Sequence, residues 1–162
     1  MAKLYLLLGG NLGDRTSFLS QARESIASRV GSIRQNSGLY ETAAWGKTDQ
    51  PAFLNQVLEV ETALPPEQVL RTINAIEQEL GRQRHEHWGA RVIDIDILFY
   101  DDMILQTQRL TIPHPQLHLR RFTLVPLVEI APMLIHPVLG KHLSALLNEC
   151  PDELKVRVFT EN

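Results

Sequence analysis

The segment Trp88-Gly-Ala-Arg-Val-Ile-Asp-Ile-Asp-Ile-Leu-Phe-Tyr100 constrains this chain more than any other, because it reads as an interior strand that nevertheless carries two aspartates one residue apart. Side chains alternate across a strand, so Asp94 and Asp96 share one face, ~7 Å apart at their Cα atoms, while Ile93, Ile95, Ile97 and Phe99 take the other. One face is core and the other carries paired acid. Two carboxylates at that spacing repel, and partial burial raises their cost unless something cationic lies between them.

The segments around this strand have equally clear periods. Lys3 to Leu8 is a short apolar run stopped by Gly9-Gly10, the pattern of a buried strand, and Gly9 to Gly13 reads as a tight turn. Thr16 to Val30 spaces Phe18, Leu19, Ala22, Ile26 and Val30 at helical intervals. Ser32 to Thr42 and Phe53 to Thr62 read as extended; in the second, Leu54, Leu58 and Val60 share one face and Phe53, Asn55 and Val57 the other. Pro65-Pro66-Glu67 opens a helix with Val69, Ile73, Ile76 and Leu80 as its apolar stripe and Gly81 as its stop.

The acid strand follows, so residues 1–100 have the order βαββαβ. That order predicts an α+β fold, a ferredoxin-like βαββαβ sandwich whose antiparallel sheet carries two helices on one face. The remainder predicts additional C-terminal short strands and helices: an extended pair within Met103 to Ile112, a helical stretch near Leu124 to Ile130, and another over Leu143 to Asn148.

At 162 residues one domain, 1–162, is expected. Lysine and arginine total 16 against 19 aspartate and glutamate, so no global basic field argues for nucleic acid or an anionic membrane, and any phosphate binding is local. The one cysteine, Cys150, rules out an internal disulfide, and MAKLYLLLGG is too short an apolar run for a signal peptide or a span. A cytoplasmic location is therefore expected, with no membrane partner.

A pair of acids on one strand face suits Mg²⁺, which keeps waters and takes one or two carboxylates plus substrate phosphates. An isolated D-x-D is also the ordinary solvated side of an amphipathic strand, so its neighbours decide. Those are Arg82, Arg84 and Arg91, with His85 and His87 between them, a cationic loop that beside a metal pair suggests polyphosphate recognition. His114, held between two prolines, is an ordinary loop residue when taken alone; with Arg109, Thr111 and Arg120 it makes a second phosphate clamp. His85, His87 and Cys150 do not meet zinc-site spacings.

Together, Trp88-Gly-x-Arg91-x-x-Asp94-x-Asp96, Asp49-Gln50-Pro-x-Phe-Leu-Asn55, Glu77 with Gly81-Arg82-x-Arg84, Leu110-Thr-x-Pro-His114, Arg120-x-Phe122 and Pro126-Leu-x-Glu-Ile-Ala-Pro132 span nearly the whole chain. In this set the chain resembles the 6-hydroxymethyl-7,8-dihydropterin pyrophosphokinases of folate biosynthesis. The resemblance implies transfer of the β,γ-pyrophosphoryl group of ATP to the hydroxymethyl oxygen of 6-hydroxymethyl-7,8-dihydropterin, releasing AMP. It implies Asp94 and Asp96 as ligands of two Mg²⁺ ions and Arg82 and Arg91 as catalytic cations. Pterin would lie between Phe53 and Phe122, with Asn55, Thr42, Ala43 and Trp45 at its ring edge and Trp88 in a loop closing over both substrates. ATP would meet Glu77, Arg84, Ile97, Arg109, Thr111, His114 and Arg120. A monomer is expected. The chain departs from the family pattern where Phe53 replaces a frequent tyrosine, Pro115 an aromatic and Gly10 a serine, and where Gln83 to His87 runs about one residue short.

Two rivals remain at this level. A D-x-D nucleotidyltransferase would use the same metal chemistry but attack the α-phosphorus, releasing pyrophosphate. A ferredoxin-like RNA-binding module would stack bases on Phe53 and Phe122, against which the acidic balance counts.

Overall fold

The computed structural model describes residues 1–43, 51–81 and 92–160. The first part of the chain forms β1 (Ala2–Gly10), α1 (Arg15–Arg29), β2 (Gly31–Asn36), β3 (Tyr40–Thr42), β4 (Phe53–Thr62), α2 (Pro66–Gly81) and β5 (Asp94–Tyr100). Helix α1 begins where the Asp14 carboxylate accepts the Ser17 N–H at 3.2 Å, satisfying one of the free donors of a helix start. It buries Phe18, Leu19, Ala22 and Ile26, while α2 starts on Pro66 and buries Val69, Ile73, Ile76 and Leu80. Both stripes close on Leu4, Leu6 and Leu8 of β1, Leu54, Leu58 and Val60 of β4, and Ile95 and Ile97 of β5.

The main sheet runs β5-β1-β4-β3 and ends on β8 (Val156–Val158), with β2 also paired to β4, and every pairing is antiparallel. Its core has the ferredoxin-like α+β arrangement predicted from the element order. Strand β4 takes two partners along one edge, β3 beside Phe53–Asn55 and β2 beside Leu58–Thr62. The stretch 32–42 is therefore two strands rather than one. The break falls at Ser37, whose Oγ accepts the Val57 N–H at 2.9 Å, so a side chain stands in for a ladder acceptor.

The face assignment of Phe99 is corrected. Tyr5 pairs with Phe99 but Leu6 pairs with Ile97, so a bulge at Leu98 shifts the alternation. Phe99 thereby leaves the isoleucine face and meets Tyr5 edge-on, with ring centroids 6.1 Å apart.

Beyond β5 come a small hairpin, β6 (Leu105–Gln106) with β7 (Thr111–Ile112), a 3-10 turn at Leu117–Leu119, α3 (Arg121–Ile130), α4 (Leu143–Glu149) and β8 (Val156–Val158). Helix α3 starts three residues before the helical stretch read from sequence. Leu124 and Leu127 of α3 and Leu143 and Leu146 of α4 form a second core with Tyr5, Leu7, Val57 and Phe99, on the face of the sheet opposite α1 and α2. Both faces are thus covered, where the sequence pattern assigns helices to one. Among the described residues no helix is long and apolar enough to cross a membrane. Cys150 is a free, buried thiol.

Candidate active site

The second core does not reach one end of the sheet, and there a cavity of about 630 Å³ opens, a size suited to a small molecule. Its floor is set by strand register. Asp94 pairs with Gly9, which pairs on its other side with Asn55; one step along, Asp96, Leu7 and Val57 repeat the row. Asp94, Asp96, Gly9, Leu7 and Asn55 therefore all line the cavity, and the Phe53–Thr42 pair extends the floor to Ala43.

The opposing wall comes from the start of α3 and the turn before it: Gln116, Leu119, Arg120 and Phe122. The Arg120 guanidinium lies 5.7 Å from the centre of the Phe122 ring. The cavity has a carboxylate end, an aromatic end and a polar edge. At that edge the Thr42 hydroxyl is buried and lacks a hydrogen-bond partner among the described residues, a group whose burial is unfavourable until something bonds to it.

Other residues singled out from sequence lie around the cavity without lining it. Glu77 of α2 accepts the Ile95 N–H at 2.7 Å, fastening the strand between the two aspartates. Ile97 is buried among the isoleucines on the far face. Thr111 belongs to β7, and Arg109 is exposed on the hairpin before it. The His114 N–H donates to Leu98 O at 3.0 Å, joining its loop to the acid strand. His114 Nδ1 accepts the Gln116 N–H at 3.1 Å, so the ring's proton is on Nε2. Burial, and after it the neighbouring Arg120, push this imidazole down from 6.5 to about 4. At neutral pH His114 is an uncharged donor. Trp45, Arg82, Arg84, Trp88 and Arg91 lie outside the described residues.

Among the described residues no group of three or more His, Cys, Asp or Glu side chains could enclose a metal ion. Two carboxylates open to a cavity do not suit a closed structural zinc site, but they suit Mg²⁺, which completes its shell with phosphate oxygens and water.

Sequence reasoning missed several cavity residues. Gly9 belongs to β1 rather than to a turn, and a Cβ there would collide with Asn55 Oδ1. A glycine at the end of an otherwise leucine-rich strand is a recognisable sign of such close approach. Leu7 was legible only as core. Pro151, Asp152 and Leu154 also line the cavity, and no motif marks them.

A sequence model of the family described as 7,8-dihydro-6-hydroxymethylpterin-pyrophosphokinase (HPPK) matches residues 5–132. A 2-amino-4-hydroxy-6-hydroxymethyldihydropteridine pyrophosphokinase of Aquifex aeolicus is 45% identical over 144 residues, covering 89% of this chain and 89% of that protein. The chain belongs to the HPPK family. As an HPPK it is an ATP-dependent pyrophosphokinase of folate biosynthesis, and neither the nucleotidyltransferase nor the RNA-binding rival has support. The Methylorubrum extorquens protein of the same name is 43% identical, over 83% of this chain and 86% of that protein. Folic acid synthesis protein fol1 of Pneumocystis carinii is 40% identical over 92% of this chain, but the match spans only 20% of that longer protein. Among solved structures, a Plasmodium falciparum HPPK-DHPS chain with STZ-DHP superposes with a TM-score of 0.74 at 18% identity, over 91% of this chain and 43% of that one. At that identity the likeness speaks for the fold alone.

Proposed function

We propose that this cavity is where the pyrophosphoryl transfer takes place, and that its two ends bind the two substrates: the triphosphate of ATP at Asp94 and Asp96, the dihydropterin between Phe53 and Phe122. The observation that carries the reading is the register of β5, β1 and β4, which brings Asp94 and Asn55 to opposite sides of Gly9, with Asp96 in the next row beside Leu7. Phe53 and Phe122 offer ring faces to a flat heterocycle, and Asn55 with the Thr42 hydroxyl, unpartnered among the described residues, offers directional hydrogen bonds to its edge.

Asp94 and Asp96 would hold two Mg²⁺ ions together with the nucleotide. When bound, such ions would supply positive charge that stabilises the phosphates as the hydroxyl attacks. Arg82 and Arg91 act as cations on the phosphates as the transfer proceeds, and Trp88 closes over the substrates with them. Glu77, Arg84, Ile97, Arg109, Thr111, His114 and Arg120 serve the nucleotide. His114 does so as a neutral Nε2–H donor, and Glu77 partly by holding the acid strand through Ile95. Ala43 and Trp45 meet the pterin edge. Residues 1–162 act as one domain, as a monomer, in the cytoplasm, and without a nucleic-acid or membrane partner.

The test is the identity of the nucleotide product. With ATP, Mg²⁺ and 6-hydroxymethyl-7,8-dihydropterin, AMP and the pterin diphosphate are expected to accumulate in equal amounts. Stoichiometric ADP would mean single phosphoryl transfer, and free pyrophosphate would mean attack at the α-phosphorus. Either would overturn the proposal.

A further inference from the structure

The last part of the chain supplies a wall of this cavity that lies beyond the family match, which stops at residue 132. Pro151, Asp152 and Leu154 face the cavity, and the backbone then enters β8, which pairs with β3 opposite Tyr40, Glu41 and Thr42. Three more contacts fasten it to the sheet edge. Phe159 N–H donates to Leu39 O at 2.8 Å, Arg157 pairs with Glu41 at 3.4 Å, and the Arg15 guanidinium sits 5.3 Å from the Phe159 ring centre. Residues 151–159 therefore form a strap from α4 to the edge of β3, passing the start of α3.

Where the strap passes α3, Asp152 takes up an unmet need of that helix. The first N–H groups of any helix have no partner within it, and Arg120, at the N-cap of α3, provides no side-chain cap. Asp152 Oδ2 accepts the Arg121 N–H at 3.0 Å in its place, which also sets a carboxylate at the positive end of the helix dipole. The same residue's carbonyl oxygen accepts Arg121 Nε at 2.8 Å, and its Oδ1 accepts the Leu154 N–H at 3.0 Å, fixing the strap's own turn. The far end of α3 is held separately: Glu129 accepts the Tyr40 hydroxyl at 2.6 Å and the Gly38 N–H at 3.1 Å. With that end tied to the sheet, the contact with Asp152 sets the direction of the end that carries Phe122.

We propose that Asp152 is a positioning residue for the pterin: by capping α3 from the strap it holds the Phe122 ring over the cavity floor. This rests on the placement of the pterin between Phe53 and Phe122 given above. Asp152 acts through Phe122 and needs no contact with the substrate.

The test is a double-mutant cycle on pterin affinity, measured by calorimetric titration of the full chain with dihydropterin in the presence of a non-hydrolysable ATP analogue and Mg²⁺. Asp152→Ala is expected to weaken pterin binding about tenfold in the parent but by less than about twofold in a Phe122→Ala background, because coupled residues do not add. Asp152→Asn keeps one acceptor oxygen and is expected to fall between Asp152→Ala and the parent. A general loss of structure would instead lower affinity by the same factor in both backgrounds, and that result overturns the inference. Parental affinity in Asp152→Ala, with weak binding in Phe122→Ala, overturns the inference and leaves the pterin placement standing. Parental affinity in Phe122→Ala overturns both. If Asp152→Ala does not fold, Asp152→Asn, which removes the charge of the cap but keeps its shape, carries the same cycle: its smaller loss of pterin affinity should likewise vanish in the Phe122→Ala background, and an equal loss in both backgrounds, or no loss in the parent, overturns the inference.

Discussion

Asn55 lays its side-chain oxygen in the space that a Cβ on Gly9 would occupy. The two residues are directly paired across β1 and β4, and Asp94 is paired to the other side of Gly9. Only a residue without a side chain lets the Asn55 amide extend over the strand toward the cavity. Gly9→Ala is therefore expected to push Asn55 aside and weaken pterin binding roughly five- to tenfold, the scale of one lost hydrogen bond. Affinity for ATP, measured separately, should change little. The Asn55→Ala change added to Gly9→Ala relieves the collision, so it should recover thermal stability without recovering pterin affinity. Recovery of both would show that Asn55 takes no part in binding.

Asp94→Asn and Asp96→Asn test the acid pair. Each removes one carboxylate from a strand face where two repel, so without Mg²⁺ the melting temperature should hold or rise. Turnover should fall at least ~10²-fold, as when one preorganised electrostatic group is lost from a reaction centre. Calorimetric titration of Mg²⁺ with ATP analogue should weaken in parallel. A variant that melts early but keeps its turnover would identify the acids as structural.

Residues with a period running over a whole element are legible in the sequence. The stripes of α1 and α2, the alternation of β4 and the acids of β5 each repeat a pattern that one face must bury. What is not legible depends on a single residue or on distant partners. The bulge that turns Phe99 to the other face is one extra residue, Leu98, and its apolar neighbours read alike on either face. Strand β8 has three residues, and although Leu154-Lys-Val-Arg-Val158 alternates, so short a run is defined as a strand only by the free edge of β3 that it joins. The aromatic and acid residues of the cavity carry motifs, whereas Pro151, Asp152 and Leu154 line it only because α3 and α4 fold back across the sheet.

Arg82→Ala and Phe53→Ala separate the two proposed roles, phosphate chemistry and pterin binding. A cation that meets the phosphates as charge develops contributes more to the transition state than to the ground state, so Arg82→Ala, and likewise Arg91→Ala, should lower kcat by on the order of 10²-fold with modest changes in substrate affinity. An aromatic ring stacked on the pterin contributes equally before and during transfer, so Phe53→Ala should raise KM for the pterin and spare kcat at saturation. Single-turnover rates at saturating substrates, set against direct titrations, make the distinction. Arginine variants that bind weakly but turn over normally at saturation would move those cations from catalysis to binding.

His114 gives the fold a defined acid sensitivity. Its imidazole is pushed from 6.5 to about 4 by burial and by Arg120, so between those values the unfolded chain takes up a proton that the folded chain refuses. Where the unfolded state binds more protons, stability rises with pH. The contribution of the neutral ring is therefore complete above pH 6.5 and is lost as pH falls toward 4. Thermal melts across this interval should show a steeper fall in the parent than in His114→Gln, which keeps a polar side chain but cannot take the proton. Above the interval the two curves should run parallel, offset by whatever the Gln116 N–H and packing contacts are worth. Equal slopes throughout would mean that folding does not shift the imidazole, so that below pH 6.5 the ring would carry its proton and could not accept from Gln116 through Nδ1.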